Sequence, residues 1–234
     1  MFRSWSVRIS LLAVLLLALG PLLAVVGLLP GMQAMLVFAS AALVGLAGIV
    51  AGIISAVRGK VAPGMTAVAL GTLALVAVLT PAFAGGGKPP INDISTDLQD
   101  VPVFTHARTL PENAGKDLGY PEEFKSVVRM YYTDLKSLKQ AQPPDAVFAR
   151  AVELARSQPG WTVTHVDASG HTLEGFAETR LFRFRDDFVV RVRPEEGGGS
   201  RVDMRSKSRV GRGDLGANAA RIHAFLQALE AEGR

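Results

Sequence analysis

The chain has 234 residues, 49% of them hydrophobic and 20% charged, and no cysteine. The missing thiols exclude disulfides, thiolate metal sites, a lipobox and a cysteine nucleophile. The formal charge of +4 resides wholly in the first 84 residues, where Arg3, Arg8, Arg58 and Lys60 are the only charged side chains; the 21 basic and 21 acidic residues that follow balance, so the high isoelectric point is no sign of nucleic-acid binding.

Three long apolar runs come first: about Ser10 to Leu29, Met32 to Val57 and Gly64 to Phe83. Roughly 20 apolar residues cross a hydrocarbon core as a helix, and a charge at its centre costs on the order of 3 kcal/mol. Each run is long enough and none holds a charge, so residues 1–84 are expected to be a three-helix transmembrane region in contact with lipid over residues 9–84. Arg3 and Arg8 precede the first run and "RGK" (Arg58 to Lys60) separates the second from the third, whereas "LPGMQ" between the first two is uncharged. Positive loops stay cytoplasmic. This predicts a multi-pass protein of the bacterial inner membrane with a cytoplasmic N-terminus and a periplasmic C-terminal domain. The second run carries "GIVAG" (Gly48 to Gly52), with Ala41/Gly45 and Gly52/Ala56 at the same spacing. Such small-residue faces bring helices close; packing among the three spans is the first reading and self-association through the second span the alternative. No ionisable residue lies inside a span, which argues against an embedded catalytic or transport site. "AFA" before "GGG" imitates a signal-peptidase site after Ala84, but the run before it is long and two spans precede it, so an uncleaved chain is expected.

"GGGKPP" (Gly85 to Pro90) reads as a linker, and residues 85–143 as a linker with an irregular, short-helix segment that opens the outer domain. "INDISTD" (Ile91 to Asp97) is rich in turn-forming polar side chains and is expected to be ordered coil or a short strand. "YPEEFKSVVRMYY" has Pro121 and two acids at a helix start, with Phe124, Val127, Val128 and Tyr131 at helical spacing. Residues 144–234 then give a helix from about Asp145 to Gln158, an antiparallel meander and a last helix from about Asp214 to Glu232. The strands are "WTVTHVDA", "HTLEGFAETRLFRFR", "DFVVRVRP" and "RVDMRSKSRV", joined by "SG", "DD" and "EEGGGS". The predicted class is α+β: three transmembrane helices, then a roughly four-stranded antiparallel sheet packed by helices on one face. Phe182, Phe184, Val190, Val192, Val202 and Met204 are expected to point to the helices. Arg183, Arg185, Arg191, Arg193, Arg201, Asp203 and Arg205 would share the opposite, solvated face, as a salt-bridged surface or as a site for an anionic partner.

"GRGDLG" (Gly211 to Gly216) reads G-x-G-x-x-G between a strand and a helix. A dinucleotide fold needs a second parallel strand ending in an acid about 20 residues on. The chain runs out at Arg234 before one, and the strand ahead belongs to a meander. No Gly-Lys-Ser/Thr makes it a phosphate loop, so no nucleotide cofactor is expected. What remains is polar: Arg205, Ser206, Ser208, Arg209, Asp214, Asn218 and Arg221. Asp214 suits an N-cap, and backbone N–H groups at that helix start suit an anion; the same side chains could instead tie the loop down by buried hydrogen bonds. In the first motif Asp93, Ser95, Thr96, Asp97 and Asp100 could act as a general base or hold a hard cation through oxygens, though turn chemistry fits better. His106, His165, His171 and His223 lack zinc spacing, and His165 and His171 are expected to face each other across the "SG" turn. No metal site is predicted.

"VDMRSKSRVGRGDLGANAARIHAFL" resembles the C-terminal signature of an uncharacterised bacterial and plastid family, domain-of-unknown-function family 1499; "INDISTD" resembles its N-terminal signature and "WTV…LEGFAETRLFRFRDDFVVRV" its middle. The resemblance spans about Ile91 to Leu229. Asn92 stands where that family often has histidine, which weakens a metal or general-base role there, and Gly213 where serine is common, which makes this glycine incidental to the motif. The resemblance implies a membrane-linked or envelope setting and no particular activity. The function expected is therefore an inner-membrane-anchored binding or scaffold module of the cell envelope, ahead of catalysis. Its partner would be an envelope protein or an anionic ligand. Its candidate binding residues are Asp93, Thr96, Asp97, Arg205, Ser206, Ser208, Arg209, Asp214, Asn218 and Arg221. The alternative is an envelope hydrolase that uses the acids of "INDISTD".

Overall fold

The computed structural model describes residues 4–84 and 87–233. Arg3 and the Gly85–Gly86 part of the linker, including the far side of the cleavage-like position after Ala84, lie outside the described residues. The chain divides into two compact units, residues 1–86 with 179–183, and residues 87–178 with 184–234.

The first unit contains α1 (Trp5–Val25), α2 (Gly31–Val57) and α3 (Val61–Ala84). All three are long and apolar enough to cross a membrane. Their small residues let the helices meet backbone to backbone. A Cβ added to Gly45 would lie 2.8 Å from the carbonyl oxygen of Gly71, and one on Gly52 would lie 2.6 Å from that of Gly64. Gly48 leaves room for Ser10, whose hydroxyl donates to the Ala67 carbonyl at 2.8 Å. The small-residue spacing of α2 is thus occupied by packing among the three helices, as the first of its two readings held.

The second unit is α+β, with six strands rather than four. Its elements are β1 (Asp93–Ser95), α4 (Glu122–Tyr131), β2 (Leu138–Gln140), α5 (Pro144–Ser157), β3 (Trp161–Asp167), β4 (Thr172–Glu178), β5 (Arg185–Pro194), β6 (Ser200–Ser208) and α6 (Ala217–Ala231). The meander β3-β4-β5-β6 is antiparallel throughout. Two three-residue strands share the remaining edge of β6: β1 pairs with Arg205–Lys207 and β2 with Ser200–Val202. Strands this short have no periodicity to read, so only their hydrogen-bonding partner defines them. A well-formed edge strand left open is a site for unwanted pairing, and β1 and β2 cover it.

The hydrophobic core lies between one sheet face and helices α4, α5 and α6. Val190, Val192, Val202 and Met204 meet Phe148, Val152, Ile222, Phe225 and Leu229 there. Trp161 lies against Phe188 and Phe225, with ring centres 4.4 and 5.4 Å apart. Phe182 and Phe184 do not take part as strand residues, because β4 ends at Glu178 and β5 begins at Arg185. The turn falls on residues 179–184, and "DD" lies inside β5. The reason is pairing: Asp186 and Asp187 each meet an arginine, as described below, so neither carboxylate needs the solvent of a turn.

The opposite sheet face is not open either. The irregular segment 97–120, with short 3-10 turns at Ala107–Thr109 and Pro111–Asn113, lies over part of it. Phe104, Ala107 and Leu118 form a second, smaller core with Val189. The expectation of a wholly solvated arginine face is corrected: the coil segment forms a third layer, and Arg205 is buried beneath it.

Candidate functional site

Antiparallel pairing of β1 with β6 brings the two terminal signatures together, with Asp93 opposite Lys207 and Ser95 opposite Arg205. Asp93 and Arg205 are both buried. The guanidinium donates through Nε to Asp93 Oδ1 at 2.9 Å and through Nη2 to Oδ2 at 2.8 Å. It also donates to the carbonyl oxygens of Pro102, Leu118 and Gly119, and it stacks between the rings of Phe104 and Tyr120. Lys207 adds a contact to Asp93 at 3.1 Å. Burial first, then the Asp93 charge, pushes the Tyr120 phenol well above its ordinary value. The planar fork and weak hydration of arginine suit this enclosure.

Further along the same edge, Thr96 exchanges hydrogen bonds with the Met204 backbone. Asp97 Oδ1 accepts the N–H groups of Gln99 and Asp100, closing an Asx turn. Its other oxygen meets Arg193 at 2.8 Å and Arg201 at 3.2 Å. Asp203 and Asp100 complete this cluster with Arg191, Arg193 and Arg201. It is a network of internal ion pairs, and the acids of "INDISTD" are engaged by guanidinium groups.

The polar residues of the second signature divide between the two sheet faces. Toward α6, Ser206 donates to Asn218 Oδ1 at 2.7 Å, and Asn218 donates to Ser208 and to the Asn92 carbonyl. Arg221 bridges Ser206, Asn218 and Asp186. Arg209 makes a two-pronged pair with Asp187, which also accepts from Asn113. Asp186, Asp187 and Asn113 gave no signal in the sequence, because "DD" reads as a turn and Asn113 as a loop residue.

The glycine motif is a turn. Gly211 and Gly216 have φ of +86°, in the left-handed region that glycine enters at no steric cost. Gly213 is less incidental than its place in the motif implies: a Cβ there would sit 3.1 Å from Pro90 Cα. The helix starts at Ala217 with Gly216 as N-cap, three residues later than expected. Asp214 still serves the helix end, accepting from the N–H groups of Gly216 and Asn218. The protein's own carboxylate therefore occupies the position that an external anion would take.

Two further features were not legible. Glu174 on β4 is buried, and its carboxylate accepts from the backbone N–H groups of Thr105, His106 and Ala107 and from the Thr105 hydroxyl, at 2.6–2.9 Å. It holds the 97–120 layer to the sheet. The histidines also differ from expectation: the strand register places His165 opposite Glu174. His165 stacks on His106, with ring centres 4.9 Å apart, while His171 contacts Asp145 at 2.6 Å. Among the described residues no group of three or more His, Asp or Glu could hold a metal.

An open cleft of ≈ 430 Å³ lies elsewhere, between the end of α4 and the start of α6. Its apolar lining includes Leu135, Leu215, Ala220 and Ala224, and Lys88, Tyr132, Asp134 and His223 supply polar groups. None of the ten candidate residues lines it.

Three apolar helices followed by a six-stranded antiparallel sheet, packed by helices on one face and covered in part by coil on the other, define a membrane-associated α+β protein. A family model described as "Protein of unknown function (DUF1499)" matches residues 93–229, more than half of the chain. The chain belongs to that family. No curated protein matches it.

Proposed function

We propose that this protein is an inner-membrane-anchored module of the cell envelope that binds a partner or ligand, with its second unit on the periplasmic side. The basic residues Arg8, Arg58 and Lys60 flank the apolar helices at the ends that would share the cytoplasmic side, which supports this orientation. One observation favours binding over hydrolysis. Asp93 and Asp97, on which a hydrolase would depend, are buried and bound to arginines. A general base must be within reach of the proton it abstracts, and these carboxylates are engaged from within. The signatures thus hold the domain closed, and binding falls to the open cleft beside them.

The natural absence of cysteine allows both parts to be tested. Ala168→Cys, at an exposed turn, is expected to react with a membrane-impermeant maleimide once the outer membrane is opened, and Ser4→Cys only after lysis. The reverse pattern would invert the orientation. In a strain lacking the gene, Asp97→Asn is expected to restore the phenotype as long as the protein folds. Lost complementation by a folded, membrane-inserted Asp97→Asn protein would favour the hydrolase.

A further inference from the structure

We propose that the α4–α6 cleft binds a single-chain amphiphile with one anionic head group, of the fatty-acid carboxylate class; the assignment rests on the binding-module reading above. The cleft's ≈ 430 Å³ falls in the range of about 300–1,000 Å³ typical of small-molecule sites. Its lining holds both kinds of group that such a ligand requires, a cation and apolar side chains.

The cation is Lys88. Its aliphatic stem lies along Gly216, where an added Cβ would meet Lys88 Cγ, Cδ and Cε at 3.4–3.6 Å. Its ammonium sits 5.5 Å from the centre of the Tyr132 ring. Among the described residues no carboxylate lies within ion-pair distance of it, whereas Arg193, Arg201, Arg205, Arg209 and Arg221 each have an acidic partner. Tyr132 is only 6% exposed, and its hydroxyl has no hydrogen-bond partner. A single cation with a spare hydroxyl donor suits a monoanion. A dianionic phosphate fits less well, since Asp214 already fills the α6 N-terminus and Asp134 also lines the cleft.

The apolar contribution is Leu215. It is one of three described non-glycine residues with positive φ, at 55°, and its side chain is 57% exposed. The left-handed conformation is costly for a residue with a Cβ, and here it delivers an apolar side chain to water at the cleft's edge. Strained backbone of this kind collects at ligand sites. Tyr131, on the opposite wall, and its neighbour Met130 are exposed as well, which extends the apolar rim.

The test uses the full chain in nanodiscs of zwitterionic lipid and a diazirine-bearing fatty acid. Photolysis is expected to label peptides containing residues 131–135 and 215–227, in addition to the apolar helices that face lipid. Dodecanoate is expected to compete for the cleft peptides; acetate and dodecyltrimethylammonium are not. Lys88→Gln should lower cleft labelling about fivefold, the upper end for one exposed charge contact, and Lys88→Arg should retain it. Leu215→Gly should lower labelling by a similar factor, roughly that of losing half a leucine's burial, while the melting temperature stays level or rises because glycine relieves the strain. A purely structural Leu215 would lower labelling and melting temperature together. Labelling confined to residues 5–84, or equal competition by acetate or the trimethylammonium compound, overturns the proposal. If that occurs while the cysteine-labelling pattern and Asp97→Asn complementation hold, the ligand class fails and the binding-module reading stands.

Discussion

Arg205 and Asp93 form a two-pronged ion pair between β6 and β1, with 2% and 0% of their side chains exposed. Two short contacts, three carbonyl acceptors and two aromatic faces enclose one guanidinium. A buried pair gains little net energy over an apolar replacement, but breaking it by removing one partner costs about 3–5 kcal/mol. The pair therefore favours one register of β1 on β6 more than it adds to stability. It also ties the coil at Pro102 and Leu118 to the same point.

Arg205→Met should destabilise the second unit by about 3–5 kcal/mol, because Asp93 is left with Lys207 alone. Adding Asp93→Leu should recover much of the loss. Denaturant unfolding of the full-length protein in detergent measures both. A double variant no better than the single one would show that the carbonyl and aromatic contacts of Arg205 dominate.

Glu174→Gln replaces one acceptor oxygen by an amide that faces N–H donors. With four donors converging on this carboxylate, a cost of about 2–3 kcal/mol is expected. The effect should be local: faster amide exchange at Thr105–Ala107 and faster tryptic cleavage at the exposed Arg108, with the β5–β6 core still protected. Uniform acceleration across the sheet would contradict the role of Glu174 as an anchor of one layer.

Asp97 predicts a pH dependence. Burial pushes its carboxyl up, but the N–H groups of Asp100 and Gln99, together with Arg193 and Arg201, outweigh burial and hold it below the ordinary carboxylate range. A carboxyl lowered by folding contributes stability above its unfolded value of about 3.9. That contribution is lost as pH falls through the lower folded value. Asp97→Asn should cost about 2 kcal/mol near neutral pH, and its melting temperature should converge on that of the unmodified protein below about pH 4. A constant gap down to strong acid would assign the linkage to another group.

Gly52→Leu tests the first unit. A Cβ at this position already falls 2.6 Å from the Gly64 carbonyl oxygen and 2.9 Å from Val68. Overpacking of this kind costs about 1–3 kcal/mol. A lower melting temperature in detergent and a reduced yield of α2–α3 crosslinks between engineered cysteines are expected. Leu43→Ala, at a 74% exposed position, should change neither.

Much of this architecture was legible in the residues alone. The three apolar helices follow from run length and missing charge, and α4, α5 and α6 from acids or proline at their starts and apolar residues at helical spacing. The four meander strands were readable from alternation, though not their limits. The same alternation concealed the turn at residues 179–184, since Asp186 and Asp187 resemble turn residues until Arg221 and Arg209 are placed beside them. The candidate residues were legible as a polar set but not as internal pairs.

The division has a physical cause. Span length, helical period and strand alternation are properties of neighbouring residues, so the sequence by itself determined the class of each long element and the apolar character of the first unit. Charge satisfaction is a property of distant ones. Asp93 meets Arg205 across 112 positions and Glu174 meets Thr105 across 69, and no local pattern couples such separations. Only the tertiary structure decided that β6 is closed by two short strands, that a coil layer covers part of the second sheet face, and that the open cleft lies beside the second signature but apart from its internally paired polar residues, because each depends on which distant residues meet.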